Sequence, residues 1–156
     1  MKRVKSIAWH VRTALVLGFV LIAAACGGGP PPTVVDINFV AAADVNPDVS
    51  GRPSPIFVRV YQLGATTGFE SADYFQLHDK DAALLGPSLL DRQELPLTPG
   101  ASQKLSITAK PGTNAIGIVA SYRDIDHAQW RGQAPVAPGK TTKLEVKLDK
   151  LAVSVK

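Results

Sequence analysis

Cysteine and histidine are scarce in this chain. Of its 156 residues one is a cysteine, Cys26, which excludes an internal disulfide and a metal site built from several cysteines. Three histidines occur, and only His78 and His127 lie beyond residue 25. Each has an acid beside it, but neighbouring side chains usually point apart, so we interpret both as solvated loop histidines. Sequence motifs of nucleophilic, phosphate-binding, dinucleotide-binding and zinc-dependent enzymes are missing. We therefore predict a protein that is not an enzyme and binds no metal, cofactor or small-molecule substrate.

A surplus of positive charge is also missing once the N-terminal segment is set aside. The chain has 17 Lys+Arg and 13 Asp+Glu, a net charge of +4, and no acid precedes Asp36. Beyond residue 25 the bases number 13, equal to the acids. This balance removes the electrostatic reason to expect a nucleic-acid partner. The surplus bases are Lys2, Arg3, Lys5 and Arg12.

These bases open a segment that is typical of an export signal. They precede an unbroken apolar run, Ala14–Ala25. As a helix, the run would span about 18 Å, less than the ~30 Å hydrocarbon core of a bilayer, so a permanent transmembrane helix is not expected. A short apolar run behind a basic segment is the pattern of a signal peptide. We predict that residues 1–25 are one.

Cys26 follows the apolar run directly. The sequence Ala23–Ala25 suits ordinary signal peptidase, but with Cys26 it also resembles a bacterial lipobox, although Ala23 stands where that motif usually has Leu. The resemblance implies that Cys26 carries diacylglycerol and an N-acyl group such as palmitate. Two or more acyl chains anchor a protein stably. By resemblance to Gram-negative lipoproteins, Gly27 implies transfer to the outer membrane. We predict that residues 26–32, with their glycines and prolines, form a tether of roughly 20 Å when extended.

Residues 33–156 show the periodicity of β-strands. In Thr141–Asp149, apolar and charged residues alternate strictly, which predicts a strand with one buried face. Ile56–Leu63 and Ala115–Tyr122 are nearly continuous apolar runs, which favours central strands. Pro-Gly pairs at 99–100, 111–112 and 138–139 predict type II turns. Together they predict one all-β domain, an antiparallel β-sandwich. Further strands are predicted at Val34–Val40, Leu89–Leu97, Gln103–Ala109 and Ala128–Ala134.

Two stretches interrupt the strand pattern. Residues 45–55 contain three prolines and predict an exposed loop between the first two strands. Phe69–Leu85 predicts a helix, with Ser71 as its N-cap and a possible division at 78–81. We expect its Ala72, Phe75, Leu84 and Leu85 to face the sheets.

Two arginines lie in or beside the predicted central strands. We interpret Arg59 and Arg123 as partners of nearby acids such as Asp73 or Asp124, orienting the helix on the sheet. Trp130 is interpreted as a packing residue.

Three segments together resemble the outer-membrane lipoprotein of type VI secretion systems, the TssJ family. They are Gly51–Leu63, Phe69–Leu77, and Ile118–Ile125 followed by Trp130–Arg131. The resemblance implies a transthyretin-like sandwich with a small helical insertion after the second strand. It also implies a lipoprotein on the periplasmic face of the outer membrane, which anchors the secretion membrane complex by binding the periplasmic C-terminal region of a TssM-like inner-membrane protein. The implied contact surface is the loop 44–53, with Asn46, Asp48, Val49, Ser50, Gly51 and Arg52.

Two other classes of protein stay open at this point. One is a periplasmic lipoprotein that binds a small ligand or glycan, and the other is a secreted hydrolase with a sparse site. A ligand-binding sandwich is expected to show a concave cluster of aromatic side chains. The predicted domain has only one Trp, three Tyr and four Phe from which to build it.

Overall fold

The computed structural model describes residues 31–156, which form eight strands, two α-helices and one 3₁₀ turn. No helix within this range is long and apolar enough to cross a bilayer. The strands are β1 (Val34–Ala41), β2 (Ile56–Leu63), β3 (Leu89–Leu97), β4 (Ser102–Thr108), β5 (Ala115–Ala120), β6 (Arg131–Pro135), β7 (Thr141–Leu148) and β8 (Val153–Val155). The helices are α1 (Thr67–Ser71) and α2 (Tyr74–Leu85), and the 3₁₀ turn is Gly86–Ser88.

The strands form two four-stranded sheets, in the orders β4-β1-β7-β8 and β3-β2-β5-β6. The predicted sandwich, with its helical insertion after the second strand, is confirmed. The pair β1 and β7 is parallel, whereas all the other pairs are antiparallel. The chain crosses from β6 in one sheet to β7 in the other, so β7 begins at the end of the sandwich where β1 also begins. The outermost strands are β4, β8, β3 and β6.

The main core lies between the two sheets. In β1 every second residue is buried, including Val35, Ile37 and Phe39, and these side chains meet the inner faces of β2 and β5. All six residues of β5 are buried, and β2 lies beside it, so the two continuous apolar runs are central strands as predicted. Gly100, Gly112 and Gly139 have positive φ angles of 76°, 89° and 67°, which fit the predicted Pro-Gly turns.

A second core lies between the helices and the outer face of sheet β3-β2-β5-β6. It is built from Tyr61, Leu63, Phe69, Ala72, Leu77, Leu85, Ala115 and Val119. The prediction of one helix from Phe69 with Ser71 as N-cap is wrong, because helix α1 ends at Ser71. Asp73 caps α2 instead, accepting a hydrogen bond from the Gln76 N–H at 2.8 Å. A kink at Lys80 falls inside the predicted division.

This later start rotates the helix relative to the prediction. Ala72 and Leu85 are buried as expected, but Phe75 and Leu84 are 61% and 38% exposed. The residue that fills the core in their place is Leu77, which is fully buried. One face of a helix recurs every three to four residues. Because the chain is not helical between Ser71 and Tyr74, the residues of α2 no longer continue the face predicted from Phe69. The face with Leu77 and Leu85 meets the sheet instead.

Gly117 leaves room for the helical insertion to pack on β5. A Cβ at this position would lie 2.7 Å from Cζ of Phe69. We expect Gly117→Ala to lower the free energy of unfolding by about 1–3 kcal/mol, because the phenylalanine must shift within a packed core. Urea denaturation measures this loss. Gly64→Ala is the matched control, since its Cβ would meet neighbours no closer than 3.6 Å. Equal losses in the two variants would contradict the packing argument.

Arginines attach the insertion to the sheet, with partners other than those predicted. Arg59 Nε lies 2.6 Å from Glu94 on the adjacent strand, and its guanidinium also donates to the His78 carbonyl at 2.7 Å. Arg131 donates to the carbonyls of Phe69 and Ala72 at 2.7 and 2.9 Å. Those carbonyls lie at the end of α1, where a helix favours a cation.

The predicted ion pairs with Asp73 and Asp124 do not form within residues 31–156. Asp124 contacts His127 instead, at 2.7 Å. The pairing of Arg59 follows from strand register, since Glu94 is its direct cross-strand neighbour on β3.

A buried carboxylate also links α2 to the sheet. Asp81 is 4% exposed, forms an ion pair with Arg92 and accepts a hydrogen bond from the Tyr61 hydroxyl at 3.2 Å. Burial raises the pKa of Tyr61 to about 12, so its hydroxyl stays protonated and able to donate at neutral pH. The insertion is therefore fixed by polar contacts as well as by its apolar face.

Candidate functional site

The connection between β1 and β2, residues 42–55, is an ordered loop at one end of the sandwich; we call it the β1–β2 loop. Its first residue, Ala42, donates to the Leu148 carbonyl at 2.8 Å, and Asn46 donates to the Lys150 carbonyl at 3.1 Å. Ser54, near its end, donates back to the Val45 carbonyl at 3.1 Å. Val45 is fully buried in the main core. The loop is therefore closed on itself and attached to the sheet.

Asn46 is the residue that fixes this shape. Its φ is 50°, a left-handed conformation that asparagine tolerates better than most residues, and it is 2% exposed. Its side-chain amide donates to the Pro55 carbonyl at 2.8 Å, and its side-chain oxygen accepts from the Arg123 N–H at 2.8 Å. Asn46 thus joins both ends of the β1–β2 loop to the segment that follows β5. Asn46 was predicted to be a contact residue, but it lies inside the loop.

Asp48 closes the tip of the loop. Its carboxylate accepts hydrogen bonds from the Ser50 N–H at 2.8 Å, the Arg52 N–H at 3.0 Å and Arg52 Nε at 2.8 Å. Bonds from the backbone and then the side chain of Arg52 hold the pKa of Asp48 below its ordinary value. The ionised Asp48 carboxylate stabilises the closed tip at any pH above the ordinary pKa of aspartate. This stabilisation is lost as the pH falls through the lowered pKa of Asp48. At neutral pH this stabilisation is therefore fully present.

Val49 stands at the exposed end of this closed tip. Its side chain is fully exposed, and the neighbouring Ser50 and Gly51 are exposed as well. The φ of Gly51 is 77°, which suits the return of the chain toward Arg52. Val49 is a single exposed apolar side chain on an ordered loop, and ordered loops on a rigid scaffold are where binding residues are often found.

A second loop contributes to the same surface. An open pocket of about 410 Å³ lies beside Val49, lined by Pro47, Asp48, Val49, Arg123, Asp124 and Leu151. The last three residues were not part of the predicted site. The antiparallel pairing of β2 with β5 could have indicated Arg123 and Asp124, because it places the end of β5 beside the start of β2. Leu151 follows β7, which ends beside the last residue of β1. The candidate site is therefore the β1–β2 loop together with the start of the segment 121–130.

All six predicted contact residues lie in the β1–β2 loop, five on its surface and Asn46 inside it. Cys26 lies outside the described residues, as do the predicted signal peptide and the tether up to residue 30. The lipidation of Cys26 therefore remains a prediction.

The two histidines each contact a nearby aspartate, and only the partner of His127, Asp124, lines the pocket beside Val49. His78 lies in α2 rather than in a predicted loop, with Nδ1 2.8 Å from Asp79, and His127 lies 2.7 Å from Asp124. The hydrogen bond that the His127 ring donates to the Asp124 carboxylate raises the pKa of His127. Both imidazoles are open to solvent, and residues 31–156 hold no cluster of three or more metal-ligating side chains.

The aromatic side chains pack against one another. Tyr74 lies 5.4 Å from each of the rings of Phe75, His78 and Trp130, and Arg131 covers Trp130 at 4.8 Å. Trp130 packs against both cores, in agreement with its interpretation as a packing residue. Three open pockets of about 410 to 480 Å³ on residues 31–156 have no aromatic side chain in their lining. In the described range, these aromatics do not form the concave platform that a ligand-binding sandwich needs.

Three solved structures from type VI secretion systems share this fold. The T6SS lipoprotein TssJ1 from Pseudomonas aeruginosa is 36% identical, with a TM-score of 0.78 over 81% of this chain and 96% of its own. Lip from Serratia marcescens, a membrane-bound component of the same system, is 27% identical, with a TM-score of 0.75 over 80% and 96%. A chain in the structure of the T6SS protein TssM C-terminal domain from EAEC shares the fold, with a TM-score of 0.65, 21% identity and coverage of 80% and 98%.

The sequence itself gives the family. No curated protein matches the chain. Residues 33–151, however, match the T6SS-SciN family, described as type VI secretion lipoproteins and including VasD, EvfM and TssJ. The match covers β1 to β7 and the helical insertion, and it agrees with the resemblance carried by the three sequence segments. This chain therefore belongs to the TssJ family of type VI secretion lipoproteins.

Proposed function

We propose that this lipoprotein anchors the type VI secretion membrane complex to the outer membrane. Acyl groups on Cys26 hold it on the periplasmic face, and the β1–β2 loop binds the periplasmic C-terminal region of a TssM-like inner-membrane protein. Membership of a secretion lipoprotein family supports the first part. A chain with the same fold in a structure of the TssM C-terminal domain supports the choice of partner.

The observation that carries the proposed contact is the pre-formed shape of the β1–β2 loop. Asn46 and Asp48 hold it through internal hydrogen bonds, so little conformational entropy remains to be lost on binding. Val49 can then enter an apolar recess of the partner, while the adjacent pocket accepts a side chain in return. Because Arg52 already neutralises Asp48, the tip brings no uncompensated charge into the interface.

The proposed role requires no catalysis. The family is one of secretion-apparatus lipoproteins and is not known as an enzyme family. We propose that this member likewise acts by binding, with neither a small-molecule substrate nor a nucleic acid as partner.

Replacing Val49 tests the contact directly. We expect Val49→Asp to weaken binding of the partner's periplasmic domain by at least about tenfold, because a charge replaces an apolar anchor. Isothermal titration calorimetry measures the affinity. The midpoint of thermal unfolding should stay unchanged, since the Val49 side chain is fully exposed.

Phe75→Asp provides the matched control. Phe75 is 61% exposed but lies on α2, outside the loop. The affinity should be unchanged in this variant. Unchanged affinity in Val49→Asp, or an equal loss in both variants, would show that the partner binds elsewhere.

A further inference from the structure

The point where the tether enters the sandwich is fixed. The Thr33 carbonyl accepts a hydrogen bond from the Ala109 N–H at 2.8 Å, and its hydroxyl accepts from the Gly139 N–H at 2.8 Å. Pro31 lies against Gly139, where a Cβ on the glycine would be 3.5 Å from the proline Cγ. The chain therefore enters between the connections 109–114 and 136–140.

Two further connections lie at the same end of the sandwich. Gly64 donates to the Ser88 carbonyl at 2.8 Å, and a Cβ on Gly64 would be 3.6 Å from the Gly112 carbonyl. We call this end, formed by 64–66, 86–88, 109–114 and 136–140, the entry end. The β1–β2 loop lies at the opposite end, because β1 starts at Val34 beside Thr33 and finishes at Ala41.

Charge is distributed unevenly between the two ends. The entry-end connections contain two bases, Lys110 and Lys140, and no acid. Both lysines are exposed, and neither has a carboxylate within 4.0 Å among residues 31–156. The connections at the opposite end contain five acids and three bases. They are Asp44, Asp48, Asp124, Asp126 and Asp149, with Arg52, Arg123 and Lys150.

The two entry-end lysines flank the tether itself. Lys110 follows Ala109 and Lys140 follows Gly139, the two residues that hold Thr33. From Cys26 to Pro31 the chain can reach at most about 18 Å, because a residue extends by no more than ~3.6 Å. An acylated Cys26 therefore keeps this basic end close to the headgroups. The distance is at most about twice the ~8 Å over which salt screens the attraction between charges.

We propose that the entry end is a membrane-contacting surface, on which Lys110 and Lys140 bind the anionic headgroups of phospholipids. This inference rests on the proposed acylation of Cys26. The sandwich then stands with β1 directed away from the bilayer, and its eight residues raise the β1–β2 loop by about 26 Å. The acidic opposite end is repelled from the same lipids, which reinforces the orientation.

The accessibility of individual lysines tests this orientation. The lipidated protein is placed in vesicles of phosphatidylethanolamine with phosphatidylglycerol, or with phosphatidylcholine, and treated briefly with an amine-acetylating reagent. Mass spectrometry then gives the rate at each lysine. We expect Lys110 and Lys140 to react about fivefold more slowly on the anionic vesicles. Lys147 and Lys150, toward the other end, should react equally on both. Equal rates at Lys110 and Lys140 on the two vesicles would overturn the proposal.

A second measurement uses matched charge variants. A donor dye on a cysteine introduced by Ala137→Cys reports energy transfer to acceptor-labelled headgroups. Transfer should be higher on anionic vesicles, and Lys110→Gln with Lys140→Gln should remove that difference. Lys147→Gln with Lys150→Gln should preserve the difference in energy transfer between the two vesicles. Loss of this difference in both pairs of variants would contradict a specific role for the entry end.

Flotation of the vesicles separates this inference from the proposed anchor. Protein that floats while its lysine rates stay equal overturns the orientation alone. Protein that floats with neither vesicle overturns the acyl anchor and, with it, the orientation.

Discussion

Cys26→Ser is expected to abolish membrane association. A serine hydroxyl cannot form the thioether to diacylglycerol, so the protein loses acyl chains whose buried methylenes each contribute about 0.8 kcal/mol to anchoring. The charge of residues 26–156 is too weak to replace them, because bases and acids are equal in number there and the two entry-end lysines would contribute only about 1 kcal/mol each. Sucrose-gradient flotation of cell envelopes measures the change: the variant should move from the outer-membrane fraction to the soluble periplasmic fraction.

Ala23→Leu is the control for this prediction. It restores the residue that usually stands three positions before a lipobox cysteine, so the protein should remain in the outer-membrane fraction. Continued outer-membrane fractionation of Cys26→Ser would contradict the acyl anchor. Loss of anchoring in both variants would place the effect in export rather than in lipidation.

Asn46→Ala is expected to lower the free energy of unfolding by about 2–4 kcal/mol. The change leaves the Pro55 carbonyl and the Arg123 N–H without partners in a buried site, and each such loss costs about 1–3 kcal/mol. Alanine also adopts the left-handed backbone less readily than asparagine. Urea denaturation measures the stability, and hydrogen exchange of residues 45–55 reports whether the β1–β2 loop has loosened.

Asn114→Ala separates this effect from the loss of any asparagine hydrogen bond. Asn114 also makes one side-chain bond to a backbone carbonyl, Gly64 at 2.9 Å, but it is exposed, so its loss should cost below about 1 kcal/mol. If Asn46→Ala were as stable as Asn114→Ala, or if its loop amides exchanged at the wild-type rate, Asn46 would not be the residue that holds the loop. Partner affinity should fall in Asn46→Ala through disorder, whereas Val49→Asp removes the contact itself.

The sequence predicted the strands well where local signals bound them. Ile56–Leu63 has the predicted bounds because it is an apolar run. Leu89–Leu97 has them because Gly86-Pro87 ends the helix before it and Pro99-Gly100 forms the turn after it. β8 was missed, since three residues show no periodicity and the strand exists only through its pairing with β7. β6 begins at Arg131, three residues later than predicted, because Gln129 forms an isolated parallel bridge with Ala152 in place of a ladder with β5.

The candidate site was likewise predicted only in part from the sequence. Its position between the first two strands follows from proline content, which is readable locally. The role of Asn46 depends on a bond to Arg123, 77 residues away, and on a positive φ, and neither leaves a mark in the sequence pattern. The pocket beside Val49 likewise depends on sheet topology, which brings Arg123 and Leu151 to the same end.

The outer strands of the sandwich affect how copies of this protein behave when they are crowded. A protein confined to a surface meets its neighbours at high lateral concentration, where an open strand edge can pair with another copy and polymerise. Pro96 and Pro135 interrupt the edges of β3 and β6, β8 offers only three residues, and the edge strand β4 carries the exposed Lys104, whose charge disfavours pairing with another copy. Neighbouring copies can therefore stand side by side without fusing their sheets, and any ordered array they form must be set by a partner rather than by the sandwich.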